Sequence, residues 1–134
     1  MSIRKLLARS ASSMSTWGLR HIARRPAANM PGKIALKLDP QIIAESMGKV
    51  TEGSIVVVGT NGKTTITNMI ADALERQGKT VACNRTGANL AYGVATTLLQ
   101  TKGSVEWGVF ESDELWLAHT LPQVQASYVL LLNL

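Results

Sequence analysis

The 134 residues allow one domain, and a hydrophobic content of 46% is enough to build a core. No apolar run approaches the length a bilayer requires, and the single cysteine, Cys83, excludes an intramolecular disulfide framework and a self-contained zinc site and suits a reducing compartment. The net charge of +5 divides unevenly: residues 1–38 carry eight basic groups and no acid, residues 39–134 six basic groups and nine acids, so the body is acidic, poor in aromatics and without support for nucleic-acid binding.

In chain order, Ile3 to Arg25 can be drawn as a basic helix with Ile3, Leu6, Leu7, Ala11, Met14, Trp17 and Ile22 along one side. It reads as a transit peptide, as a helix lying on an anionic membrane surface, or as an arm packed on the body or a partner. His21, alone among arginines, reads as solvated. Pro26 to Lys37 reads as a connector, because Pro26, Pro31 and Gly32 break regular structure. A domain boundary is therefore expected at 38/39. Asp39 then reads as an N-cap and Pro40 as a first helical residue, leading Gln41 to Met47 before Gly48.

Ser54 to Thr65, SIVVVGTNGKTT, is the stretch that carries chemistry. Ile55 to Val58 is β-branched and unalternated, as a strand covered on both faces of a parallel sheet should be. Gly59 and Gly62 let the backbone approach a ligand, so that amide groups of Thr60, Asn61 and their neighbours converge on phosphate oxygens. Lys63 can reach the β- and γ-phosphates of ATP, and the Thr64 hydroxyl can take a position on Mg²⁺, with Thr65 in the same helix start. The strict Walker spacing is not met, since its first glycine would fall at Val57. The alternative is a glycine turn with an incidental lysine; the strand before and the helix after favour the nucleotide.

Thr64 to Gln77 is a predicted helix with Ile66, Met69, Ile70, Ala73, Leu74 and Gln77 on its buried stripe and Gly78 at its C′ position. Thr80 to Cys83 is a second strand, with Cys83 a small buried residue and not a nucleophile. Asn84 to Gly93, NRTGANLAYG, follows at the carboxyl end of that strand, where ligands bind in open parallel sheets. Asn84, Arg85, Thr86 and Asn89 are thus candidates for facing a ligand, against a plain Asx-rich connection. A helix is expected through Ala91, Val94, Ala95, Leu98 and Leu99, and a strand over Val105 to Phe110 that delivers Glu111-Ser112-Asp113-Glu114 to the same edge. Glu111, first after the apolar run, is the expected second anchor for Mg²⁺, directly or through water; Asp113 and Glu114 can instead be acids at a helix start. Leu115 to Leu121 reads as a short helix, Trp107 and Trp116 as core, His119 as structural, and Ser127 to Leu132 as a fourth strand. The order is β-α-β-α-β-α-β, an α/β fold with a parallel sheet and helices on both faces. It stops at a strand end, so an incomplete domain is expected.

GTNGKTT, NRTGANLAYG, FESDE, VLLLNL and the upstream PGKIALKLDP together resemble the Mur ligase superfamily, which includes folylpolyglutamate synthetases, over Pro31 to Leu134. The last of these and GAN favour the branch that amidates lipid II. The resemblance implies the central ATPase domain of a Mur ligase and an ATP-dependent amidation. The α-carboxylate of D-glutamate in lipid II would be phosphorylated, and ammonia from a glutaminase partner of the GatD type would attack the acyl phosphate to give D-isoglutamine. It implies ATP on Gly59, Thr60, Asn61, Gly62, Lys63, Thr64 and Thr65, Mg²⁺ on Thr64 and Glu111, and Asn84 and Asn89 on the nucleotide or acceptor side. It further implies a cytoplasmic protein whose basic arm is packed or membrane-apposed, in preference to a transit peptide. Family members also carry a cysteine-ligated zinc ribbon and a carboxyl-terminal ligase domain, neither of which has a counterpart in these residues. Two alternatives are a folylpolyglutamate-synthetase-like ligase that adds amino acids, and a nucleotide-binding module without activity.

Overall fold

The computed structural model describes residues 29–133. The basic segment Ile3 to Arg25, with His21, lies outside the described residues. Five helices and four strands follow: α1 Met30–Leu38, α2 Ile42–Ser46, β1 Val50–Val58, α3 Lys63–Arg76, β2 Val81–Cys83, α4 Ala91–Gln100, β3 Val105–Ser112, α5 Leu117–Val124 and β4 Tyr128–Leu131.

The four strands form one parallel sheet in the order β2-β3-β1-β4. The chain moves outward from β1 to β2 and then back across to β3 and β4. Right-handed crossovers therefore place α3 on one face and α4 and α5 on the other. The packing agrees, since α3 lies on β1, β2 and β3 while α1, α2 and α5 gather with α4 across the sheet. Alternation along β1 divides the two layers: Val56 and Val58 enter the larger core with Phe110, Leu98 and Ile42, and Val57 faces away from it; all six are buried. That double burial explains the unbroken valine run.

Of the stretch expected as a connector, Met30 to Lys37 is helical, while Pro26 lies outside the described residues. Pro31 stands in the first turn of α1, where a missing N–H costs nothing, and Lys33 N donates to Asn29 O at 3.0 Å to start the helix. Gly32 is not a breaker but a contact: its N–H donates to Thr96 Oγ1 at 2.8 Å and its bare Cα lies against the Tyr92 carbonyl. Residues 30–38 are thus packed on α4 as part of the body.

The signals at the next two helices are met in part. Asp39, expected as an N-cap, instead closes α1, its N–H donating to Ala35 O at 2.8 Å. Its Oδ1 accepts from Gln41 N at 3.0 Å in the turn that follows, Gln41 stands at the start of α2, and α2 ends in a 3₁₀ turn, Met47–Lys49, that includes Gly48. α3 ends at Gly78 in the left-handed region, with Lys79 N donating to Leu74 O at 3.1 Å and Gly78 N to Glu75 O at 2.9 Å, which is the Schellman pattern. Its buried face, however, is centred on Thr67 and Ala71, and Met69 is 60% exposed. The face turned to the sheet runs through Thr67 and Ala71, so Met69, Ala73 and Gln77 of the expected stripe fall on the solvent side. Trp116, expected in the core, is exposed on a 3₁₀ turn (Glu114–Trp116), with its ring 5.8 Å from the exposed His119. Trp107 is half-buried and donates to Glu52 Oε2 at 2.8 Å. Edge strand β4 leaves Tyr128, Val129, Leu130 and Leu131 exposed. Among the described residues no helix is long and apolar enough to cross a membrane.

Candidate functional site

The ends of β1 and β3 are neighbours in the sheet, with Val58 paired to Ser112. From there the chain leaves β1 toward one face and β3 toward the other. Such a divergence opens a crevice at the carboxyl edge. An open depression of about 320 Å³ lies there, lined by Thr60, Asn61, Gly62, Lys63, Thr64, Thr65, Gly87, Asn89 and Glu111.

One wall is the glycine loop. Gly62 has φ +83°, a left-handed turn that a side chain would strain, and Ile66 N donates to Gly62 O at 3.0 Å as α3 begins. The first N–H groups of a helix have no intrahelical partner, so those of Lys63, Thr64 and Thr65 are available to an anion, reinforced by the helix dipole. The Lys63 ammonium is folded back onto the carbonyl of Gly59, with Thr60 O at 3.5 Å. These loop carbonyls hold it at the depression that Lys63 lines.

The opposite wall is Glu111, 1% exposed, whose Oε2 is buried with no hydrogen-bond partner. A buried carboxylate oxygen without a donor is costly unless a cation or a protein donor meets it. Above it, Gly87 sits at φ +79°, and a Cβ built there would lie 3.2 Å from Thr64 Oγ1 and 3.8 Å from Glu111 Oε1. Hydroxyl and carboxylate therefore flank one small space kept open by the lack of a side chain. Among the described residues no cluster of three or more His, Cys, Asp and Glu could hold a metal. Two oxygen ligands beside a phosphate loop do fit Mg²⁺, which keeps several waters and takes phosphate oxygens as further ligands.

What holds Glu111 in place is Asn84, 3% exposed. Its Oδ1 accepts from Glu111 N at 2.9 Å, and its Nδ2 donates to Glu111 O at 3.0 Å and Ala88 O at 2.8 Å. The carboxamide thus takes over beyond the β2–β3 ladder, whose last pair is Cys83 and Val109.

Residues 57–134 match the Mur ligase middle domain family. The chain belongs to the Mur ligase family. It is 34% identical over 137 residues, the whole of this chain and 30% of the relative, to the lipid II isoglutaminyl synthase (glutamine-hydrolyzing) subunit MurT of Streptococcus pneumoniae. It is 30% identical over 131 residues, 90% of this chain and 30% of the relative, to the protein of the same name from Staphylococcus aureus. The chain spans about 30% of the length of these curated relatives.

Within this Mur ligase domain the expected site residues separate by position. The loop residues from Thr60 to Thr65, with Asn89 and Glu111, line the depression, whereas Gly59 is buried and does not. Asn84 stands behind it, its side chain spent on backbone groups. Arg85 is turned to the flank of α3, 2.7 Å from Asp72 and 2.8 Å from Glu75, and Thr86 does not line the space. Asp113 caps the following 3₁₀ turn, accepting from Leu115 N at 3.0 Å, so the helix-start reading holds for it. Burial pushes the Cys83 thiol up to about 11, with Arg85 opposing, and leaves it a poor nucleophile at neutral pH. Gly87 and Asn133 escaped the sequence reading; the GAN and LNL segments that hold them were visible, but not what they would touch.

Proposed function

We propose that this Mur ligase domain binds ATP with Mg²⁺ as the nucleotide half of an amide ligase in peptidoglycan synthesis. The observation that carries the reading is the buried Glu111 carboxylate, its Oε2 unpartnered and its Oε1 beside the same small space as the Thr64 hydroxyl, in a depression shared with the glycine loop. Gly62 to Thr65 hold phosphate oxygens through their amides, and the Lys63 ammonium swings from the loop carbonyls to the γ-phosphate. Thr64 and Glu111 hold the metal, which when bound offsets charge developing on the phosphates. Asn89 lines the acceptor side.

The names of the relatives support a finer reading for the whole protein. A carboxylate of the lipid II stem peptide attacks the γ-phosphorus, ADP leaves, ammonia attacks the resulting acyl phosphate and inorganic phosphate departs, leaving the amide. Glutamine hydrolysis in a GatD-type partner subunit supplies the ammonia, and the work takes place where lipid II meets the cytoplasmic membrane surface. Holding the acceptor close to the γ-phosphate is the chief catalytic requirement.

Calorimetric titration of the full chain with ATP tests the cradle. Lys63→Ala should weaken binding at least tenfold, and Glu111→Ala should abolish the gain in affinity that Mg²⁺ gives while leaving metal-free binding within about twofold. Equal binding by wild type and Lys63→Ala would remove the phosphate assignment.

A further inference from the structure

The loop that faces the depression does not stand alone. Leu132 N donates to Val58 O at 2.9 Å, which carries the β1–β4 pairing one step past the end of β4. Residues 132 and 133 then run alongside the loop: a Cβ at Gly59 would lie 3.1 Å from the backbone N and O of Asn133 and from Leu132 Cβ, and one at Gly62 3.9 Å from Leu132 Cδ1. The Asn133 carboxamide completes the contact. Its Oδ1 accepts from Thr60 N at 2.9 Å and from Asn61 N at 3.1 Å, and its Nδ2 donates to Asn61 O at 3.4 Å. An exposed asparagine has water available for all of these groups. Here they are spent on a loop 72 and 73 positions earlier in the sequence.

We propose that Asn133 is a positioning residue for nucleotide binding, clamping the first limb of the phosphate loop to the end of β4 so that the amides of Gly62 to Thr65 are pre-set for phosphate. This rests on the phosphate reading of the loop. Thr60 N and Asn61 N, expected from the sequence to converge on phosphate, are instead bound to Asn133; the bonds leave that role to the amides of Gly62 to Thr65 and fix the backbone that leads into Gly62. Without them, ordering residues 60 and 61 falls to the ligand, and the cost appears as lost affinity. Because the clamp acts on the loop and not on the transferring phosphoryl group, ATP and ADP lose alike, and the loss falls on KM more than on kcat.

The test uses the full chain as wild type, Asn133→Ala, Asn133→Asp and Lys63→Ala, with melting of the free proteins to confirm that each is folded. Amide exchange should show Thr60 and Asn61 protected in the wild type, exposed in Asn133→Ala and protected again in Asn133→Asp, whose carboxylate accepts both N–H groups. Calorimetry should show ATP and ADP weakened five- to tenfold by Asn133→Ala. Affinity within twofold of wild type, or unchanged exchange at Thr60 and Asn61, overturns the clamp while Lys63→Ala remains impaired. If Lys63→Ala binds as wild type does, the phosphate reading has failed and the clamp falls with it.

Discussion

Glu111 lines the depression only because two residues that bear no charge arrange it. Asn84 holds its backbone on both sides, and Gly87 leaves the space in front of its carboxylate. Gly87→Ala places a methyl between Thr64 Oγ1 and Glu111 Oε1 and strains a left-handed backbone, a conformational cost of about 1–2 kcal/mol. The expected outcome is a loss of magnesium-dependent ATP affinity of tenfold or more, with metal-free binding much less affected, read by titration with and without Mg²⁺. The types of residue involved were legible in the chain, since a carboxylate after an apolar strand and a lysine after a glycine turn have few other uses together. Their supports were not, because an asparagine in a polar turn looks the same whether it faces solvent or bridges two strands.

Among the elements, α1 is the one that the chain disguised. Proline and glycine in succession read as a break, yet the proline falls in a first turn and the glycine falls where two helices touch. Gly32→Ala drives a Cβ into the Tyr92 carbonyl and brings it 2.6 Å from Thr96 Oγ1. Such overpacking costs about 1–3 kcal/mol. A lower melting temperature for the full chain, with ATP affinity unchanged at temperatures where the protein is folded, is the expected result. An unchanged melting point would mean that α1 does not pack on α4 as described. The end of α3, in contrast, was readable from its terminal glycine, because helix caps are made by neighbours in sequence, whereas its buried face, centred on Thr67 and Ala71, was not.

At the scale of the whole molecule the sheet separates two polar regions. The glycine loop, Asn84 and Glu111 gather at the carboxyl edge, while Lys79 bridges Glu52 at 2.8 Å and Glu106 at 2.9 Å at the opposite edge. Glu106 also accepts from Thr80 N at 2.9 Å. That backbone bond first, and Lys79 second, hold the Glu106 carboxyl below the usual carboxylate range. A carboxyl with a lowered folded pKa contributes stability that is present above its ordinary value, about 4.3, and lost as pH falls through the lower folded value. Melting temperatures measured downward from pH 6 should therefore fall in the wild type below about pH 4.3, and fall less steeply in Glu106→Gln. Nucleotide affinity at neutral pH should be the same in both, since the two edges share no side chain. A parallel slope in wild type and variant would show that this network does not govern acid stability.

The sequence by itself determined what neighbouring residues decide between them: the strand that enters the glycine loop, the helix that leaves it, the helix end at Gly78, and the carboxylate delivered by the third strand. Those features rest on backbone preference, short-range hydrogen bonds and the two-residue or 3.6-residue period of burial. Only the tertiary structure decided which strand ends stand side by side, that Asn84 reaches Glu111 across 27 positions, and that Asn133 reaches Thr60 across 73. The strand order β2-β3-β1-β4 brings these groups together, and no local preference encodes it. It follows from burying both faces of the central strands at once, a condition that the chain satisfies as a whole.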